Sequence, residues 1–180
     1  MNRILLFLIS ALLISTLGLP VRTATQNNEI RPVPFTPVGP VPQTCFQSRV
    51  EGKLRLAVRD RDEWIALLKR MFTIDSSLGP NLEREPWTEI DFSREMVIVA
   101  TMGTRPSSGY CIFIDSIYER DGRLDVTVRA VENPRCGVFP VMTAPLDIVR
   151  LPKTDRPVVF HETQVDSDCA STMLRRTQKN

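Results

Sequence analysis

His161 is the single histidine of the chain, and beside Glu162 it is the first residue to weigh as a general base or a metal ligand. Either chemistry needs partners placed around it. No histidine- or cysteine-rich metal motif surrounds it, so its expected place is a strand edge. Ser107 and Ser108, within R-P-S-S-G-Y, are the next candidates, as nucleophiles for acyl transfer. No G-x-S-x-G elbow encloses them and no S-x-x-K motif starts at either, so they read as turn-forming hydroxyls. The chain has no G-x-G-x-x-G and no P-loop, and Asp115, Asp121 and Asp125 do not have the spacing of an EF-hand loop. The sequence thus points to no catalytic residue, no metal site and no cofactor, and an enzyme is the least supported class.

The cysteines carry a different chemistry. Cys45, Cys111, Cys136 and Cys169 form no C-x-x-C pair, which argues against a zinc ribbon or a thioredoxin-like dithiol. An even number in an exported chain points to two disulfides, and four cysteines allow three connectivities. The favoured pairing is Cys111–Cys136 with Cys45–Cys169. The first would tie a strand to the loop after its hairpin partner, and the second would fasten the chain's entry to its tail.

Export is expected from the first residues. Asn2 and Arg3 precede an almost unbroken apolar run, Ile4 to Leu19, which is a positive n-region followed by an h-region. The run is short for a membrane span, which needs about 20 apolar residues. A cleaved signal over 1–24 is expected, and with it a secreted or periplasmic protein; an uncleaved anchor is the alternative. Removing that segment takes Arg3 and Arg22 out of 23 basic residues and none of the 21 acidic ones. The balance that is left argues against nucleic acid and against an electrostatic membrane surface. The partner to expect is a protein.

These residues must be positioned by secondary structure. Prolines at 32, 34, 37, 40 and 42 make residues 25–43 an extended spacer or an edge-hugging arm. Leu54, Leu56 and Val58 alternate with Lys53, Arg55 and Arg59, a half-buried strand. Asp60 with Glu63 three positions on gives a helix start. Trp64, Leu67, Leu68 and Met71 then mark one apolar face of a helix ending near Phe72. Residues 73–89 are loop-like, with Trp87 at their end. Met96 to Ala100 is wholly apolar between polar flanks, which reads as a strand buried on both faces. Tyr110, Ile112, Ile114 and Tyr118 are expected on one face of the next strand, with Cys111, Phe113 and Ile117 on the other. Asp121-Gly122 supplies a hairpin turn. Leu124, Val126 and Val128 alternate in the return strand, which the run Glu132 to Gly137 breaks. Leu146–Leu151 and Pro157–Phe160 are two further strands, and the chain is polar beyond Thr163.

The fold class that follows is α+β, mainly β: an antiparallel sheet or a small β-sandwich with one amphipathic helix packed on it. A single domain over 44–163 is expected, with a polar C-terminal tail over 164–180. The candidate recognition element is the loop after the apolar strand: Arg105, Pro106, Ser107, Ser108, Gly109 and Tyr110. Proline and glycine set the turn, while arginine and tyrosine are favoured interface anchors and loops on a rigid scaffold carry binding residues.

Three stretches, DFSREMVIVATMGTRPSSGYCIFI, GRLDVTVRAVENPRCGV and TAPLDIVRLPKTDRPVVF, taken in order, resemble the C-terminal domain of the protease complex subunit PrcB family. The segment RDRDEWIALLKR is similar to what precedes that domain. The resemblance implies an exported, non-catalytic protein that stabilises or escorts a subtilisin-like protease. Three features depart from it: Ser108-Gly109 stands in place of the G-G before the tyrosine, there is no lipidation cysteine near the apolar run, and Cys111 stands where relatives carry a polar residue. The R-P-S-S-G-Y loop is also similar to the N-P-T-T-G-Y loop of chagasin-like cysteine-protease inhibitors, with Arg105 in place of the asparagine. A protease inhibitor using residues 104–110 is therefore the alternative reading.

Overall fold

The computed structural model describes residues 29–38, 48–72, 89–132 and 139–166. The apolar run over 1–24, the loop holding Trp87, the tail beyond 166, and Cys45, Cys136 and Cys169 lie outside the described residues.

The helix α1 (Arg61–Met71) begins as its sequence dictates. Asp60, in extended conformation, accepts a hydrogen bond from the Glu63 amide at 2.8 Å, and Phe72 ends the helix. This satisfies one of the amides that every helix start leaves without a partner. Trp64, Leu67, Leu68 and Met71 are its buried face.

That face rests on a four-stranded sheet with the order β2 (Thr36–Pro37), β7 (Leu146–Pro152), β4 (Glu95–Thr101), β3 (Leu54–Val58). Val58, Val97, Val99, Leu146 and Ile148 meet the helix. The other face of the same sheet presents Met96, Ile98, Ala100, Val149 and Leu151 to a second sheet, which supplies Ile112, Ile114, Ile117, Leu124, Val126 and Val128. β4 is therefore buried on both sides, as its unbroken apolar run requires, and the fold is a sandwich with the helix as a third layer.

The second sheet has the order β1 (Arg31–Pro32), β5 (Tyr110–Arg120), β6 (Arg123–Glu132), β8 (Val158–Asp166). Asp121 and Gly122 join β5 to β6 with φ of 51° and 75°, the left-handed pair that a two-residue hairpin turn needs. The proline-bearing arm crosses between the sheets: β1 pairs with β5 and β2 with β7. Each of these two-residue strands occupies an outer edge, where a residue without an N–H is tolerated.

One expectation is corrected. The faces of β5 do not alternate throughout. A bulge between Ile114 and Ser116 leaves Asp115 out of register and reverses the alternation, as an extra residue must. Ile117 thus joins Ile112 and Ile114 inside, and Tyr118 is exposed. β7 pairs antiparallel with β4, and β8 pairs with β6 in parallel, because the chain crosses the sandwich between them. β8 runs on past Thr163 to Asp166, paired with Glu132.

Candidate functional site

The candidate loop leaves β4 at its C-terminal end. Gly103, at φ +70°, lies where a Cβ would come 2.5 Å from the Glu51 carbonyl oxygen, so only glycine permits this approach. The contact fixes the base of the loop: the Thr104 amide donates to that carbonyl at 3.1 Å, and Thr101 Oγ1 donates to the Gly52 carbonyl at 3.0 Å.

Beyond the base, the loop is zipped to a second one, residues 139–145. Arg105 and Thr143 exchange both backbone hydrogen bonds, at 2.6 and 2.9 Å. The Thr143 hydroxyl donates to the Ser107 carbonyl at 2.7 Å. The Ser108 amide donates to the Phe139 carbonyl, and the Phe139 amide donates to Ser108 Oγ at 2.9 Å. The Met102 amide closes the pair on the Pro145 carbonyl. The two serine hydroxyls are consumed here, Ser107 Oγ accepting from the Gly109 amide and Ser108 Oγ from Phe139. They hold a turn, which is the chemistry their context predicts.

The zipped pair leaves apolar groups in water. Phe139 is 73% exposed, Met142 61% and Val141 44%. Sequence reasoning passed over them, although the run Phe139-Pro140-Val141-Met142 lacks the alternation of a half-buried strand and is broken by a proline. The Arg105 guanidinium lies 5.8 Å from the centre of the Tyr110 ring, a cation–π distance. Arg105 Nε is buried without a hydrogen-bond partner. Pro106 is exposed, Ser107 and Ser108 are half-buried, and Gly109 is buried. The loop residues Arg105 to Ser108 thus adjoin three apolar residues that were not expected, while Gly109 is buried and Tyr110 packs against the core between the sheets.

His161 lies elsewhere, on β8. Its Nε2 is 3.0 Å from Asp125 Oδ1, and Arg123 Nε donates to the same oxygen at 3.0 Å. Burial alone would raise the Asp125 carboxyl, but the hydrogen bonds from His161 and Arg123 outweigh it and hold the group below the usual carboxylate range. Neither serine of the loop is among the hydrogen-bond partners of this pair. Among the described residues no cluster of three or more His, Cys, Asp or Glu could hold a metal ion. Cys111 is disulfide-bonded; the other three cysteines lie outside the described residues. No described helix is long and apolar enough to cross a membrane.

No curated protein and no solved structure matches the chain. A family model does: residues 96–152 match PrcB C-terminal. The span runs from the second residue of β4 to the last of β7, so it takes in the Asp121-Gly122 hairpin and both loops of the ridge. The resemblance read from the sequence therefore holds over Met96 to Pro152, and this part of the chain is PrcB-like.

Proposed function

We propose that the protein is an exported, non-catalytic subunit of a protease complex, and that it binds its protein partner through the ridge formed by residues 104–110 and 139–143. The PrcB C-terminal match supports association with a protease complex. The observation that carries the choice of surface is the exposure of Phe139, Val141 and Met142 on a loop fastened at both ends. Apolar groups held in water by a rigid frame are the usual mark of an interaction site, and arginine and aromatic residues beside them supply anchors. A pre-ordered ridge also binds without the cost of ordering a flexible loop.

The test is recovery of a subtilisin-like protease from the envelope fraction by the tagged full chain. An Arg105→Ala/Tyr110→Ala variant and a Phe139→Ala/Met142→Ala variant serve as comparisons. Loss of the protease with either variant supports this surface, and equal recovery with all three proteins removes it. Assay of the recovered enzyme then separates an escort, which leaves activity intact or prolongs it, from an inhibitor.

A further inference from the structure

We propose that the cleft between β3 and β8, at the end of the sandwich where β4 begins, binds a small apolar monocarboxylate through Arg59. This goes beyond the partner-binding reading, because the loop ridge stands where β4 ends.

The cleft is shallow and open to solvent, with a volume of about 460 Å³. β3 and β8 are the edge strands of the two sheets on this side, and the Arg55–Glu162 ion pair bridges them. The floor of the cleft is Ala57, Val158 and Phe160, each partly buried and packed against the core between the sheets. Its charged lining residues are Arg55, Arg59, Arg156 and the carboxylate Asp155.

The three guanidinium groups are not equivalent. Arg55 shares the Glu162 carboxylate with Lys53 and donates two further bonds to the Leu54 and Thr101 carbonyls. Arg156 pairs with Glu119. Arg59 spends Nε on the Thr154 carbonyl at 2.9 Å and Nη2 on the Arg156 carbonyl at 2.7 Å. Both acceptors are neutral, and among the described residues no carboxylate lies within ion-pair distance of Arg59. The side chain is thus fixed in place by uncharged groups while its charge stays uncompensated. Arg55 and Arg156 are paired with Glu162 and Glu119, so Arg59 is the lining cation left without a carboxylate partner among the described residues; Asp155 also lines the cleft and is not paired with Arg59. A ligand with one negative charge and an apolar body matches both Arg59 and the floor. The planar guanidinium suits a carboxylate in particular.

The test is a titration of the isotope-labelled full chain, followed by NMR, with three probes: hexanoate, N-acetyl-leucine and hexanamide. Saturable shifts at residues 55–59 and 155–160 with a carboxylate probe support the proposal. Response to N-acetyl-leucine alone assigns peptide C-termini as the source, and response to hexanoate alone assigns fatty acids. Loss of a charge-assisted bond predicts that Arg59→Gln weakens binding about tenfold or more. Ala57→Leu, which fills the floor, is expected to weaken it without altering the rim. Arg105→Ala is expected to change nothing here, so failure of the ridge and failure of the cleft are told apart. No shift at millimolar probe, equal response to hexanamide, or unchanged affinity in a folded Arg59→Gln protein would each overturn the proposal.

Discussion

The Ile114 amide on β5 donates a hydrogen bond of 2.7 Å to Asp147 Oδ2 on β7, across the interior from one sheet to the other. Asp147 is 5% exposed and occupies the same inward phase of β7 as Val149 and Leu151. The amide it serves lies at the bulge, where the ladder to β6 loses its register. An amide displaced from its ladder needs another acceptor, since an unpaired buried N–H is costly. Removing the carboxylate is expected to cost about 2–4 kcal/mol. Urea unfolding of Asp147→Ala against wild type measures this, and Asp147→Asn, which keeps an acceptor oxygen, is expected to lose less.

Gly103→Ala tests the base of the ridge. The new Cβ would meet the Glu51 carbonyl oxygen, a backbone atom with little freedom to move, at a φ that disfavours side chains. A loss of about 1–3 kcal/mol is expected, together with amide exchange at Thr104 and Arg105 faster than in wild type. A melting point and exchange profile equal to wild type would contradict this role.

Acid should act through Asp125. Its folded-state carboxyl is held below the usual range, so in acid the unfolded chain binds the proton first. The stabilisation is fully present above the ordinary aspartate range and is lost as the pH falls through the lower, folded value. Stability measured against pH is expected to drop on that acid limb, and Asp125→Asn should flatten it. Glu162 acts in the same direction: burial opposes its charge, but Lys53 and Arg55 together keep it ionised.

The Arg55–Glu162 pair predicts an asymmetry. Burial pushes the Arg55 guanidinium down and Glu162 holds it up, so Glu162→Gln leaves a desolvated cation without its counter-charge. Glu162 keeps about a third of its side chain in water, which moderates the loss to about 1–2 kcal/mol. Replacing both residues by apolar ones of similar size should cost less than Glu162→Gln alone.

Disulfide mapping is the remaining check on the cysteines. Digestion without reductant is expected to link the peptide holding Cys111 to that holding Cys136, and Cys45 to Cys169. A Cys111 peptide joined to either of the others would reassign the connectivity.

What the sequence made legible was whatever a local pattern governs. The capped helix, β4 buried on both faces and the Asp121-Gly122 hairpin each follow from spacing within a few residues. The bulge at Asp115 was not legible, because its acceptor, Asp147, lies far along the chain and looks like any polar residue in a strand. The five residues Lys153 to Pro157 between β7 and β8 have the length of a hairpin loop. They act as a crossover because the Arg59 side chain holds their carbonyls and Lys153 bonds to the Phe92 and Arg94 carbonyls. The site was half legible for a similar reason. Arg105 to Tyr110 carry turn chemistry in their own sequence, whereas Phe139 to Met142 acquire meaning only from the backbone they are zipped to.

The arm of residues 31–37 sets a timetable for folding. Arg31 pairs with Glu119 and Thr36 with Arg150, so the arm has nowhere to dock until β5 and β7 are in place. β8 likewise finds β6 only after the intervening β7 has gone to the opposite sheet. Such distant pairings slow folding, since the loops must close before the contacts reward them. A chain made from its first residue onward therefore holds its arm open through most of its synthesis, and the two sheets are clasped as one of the last events.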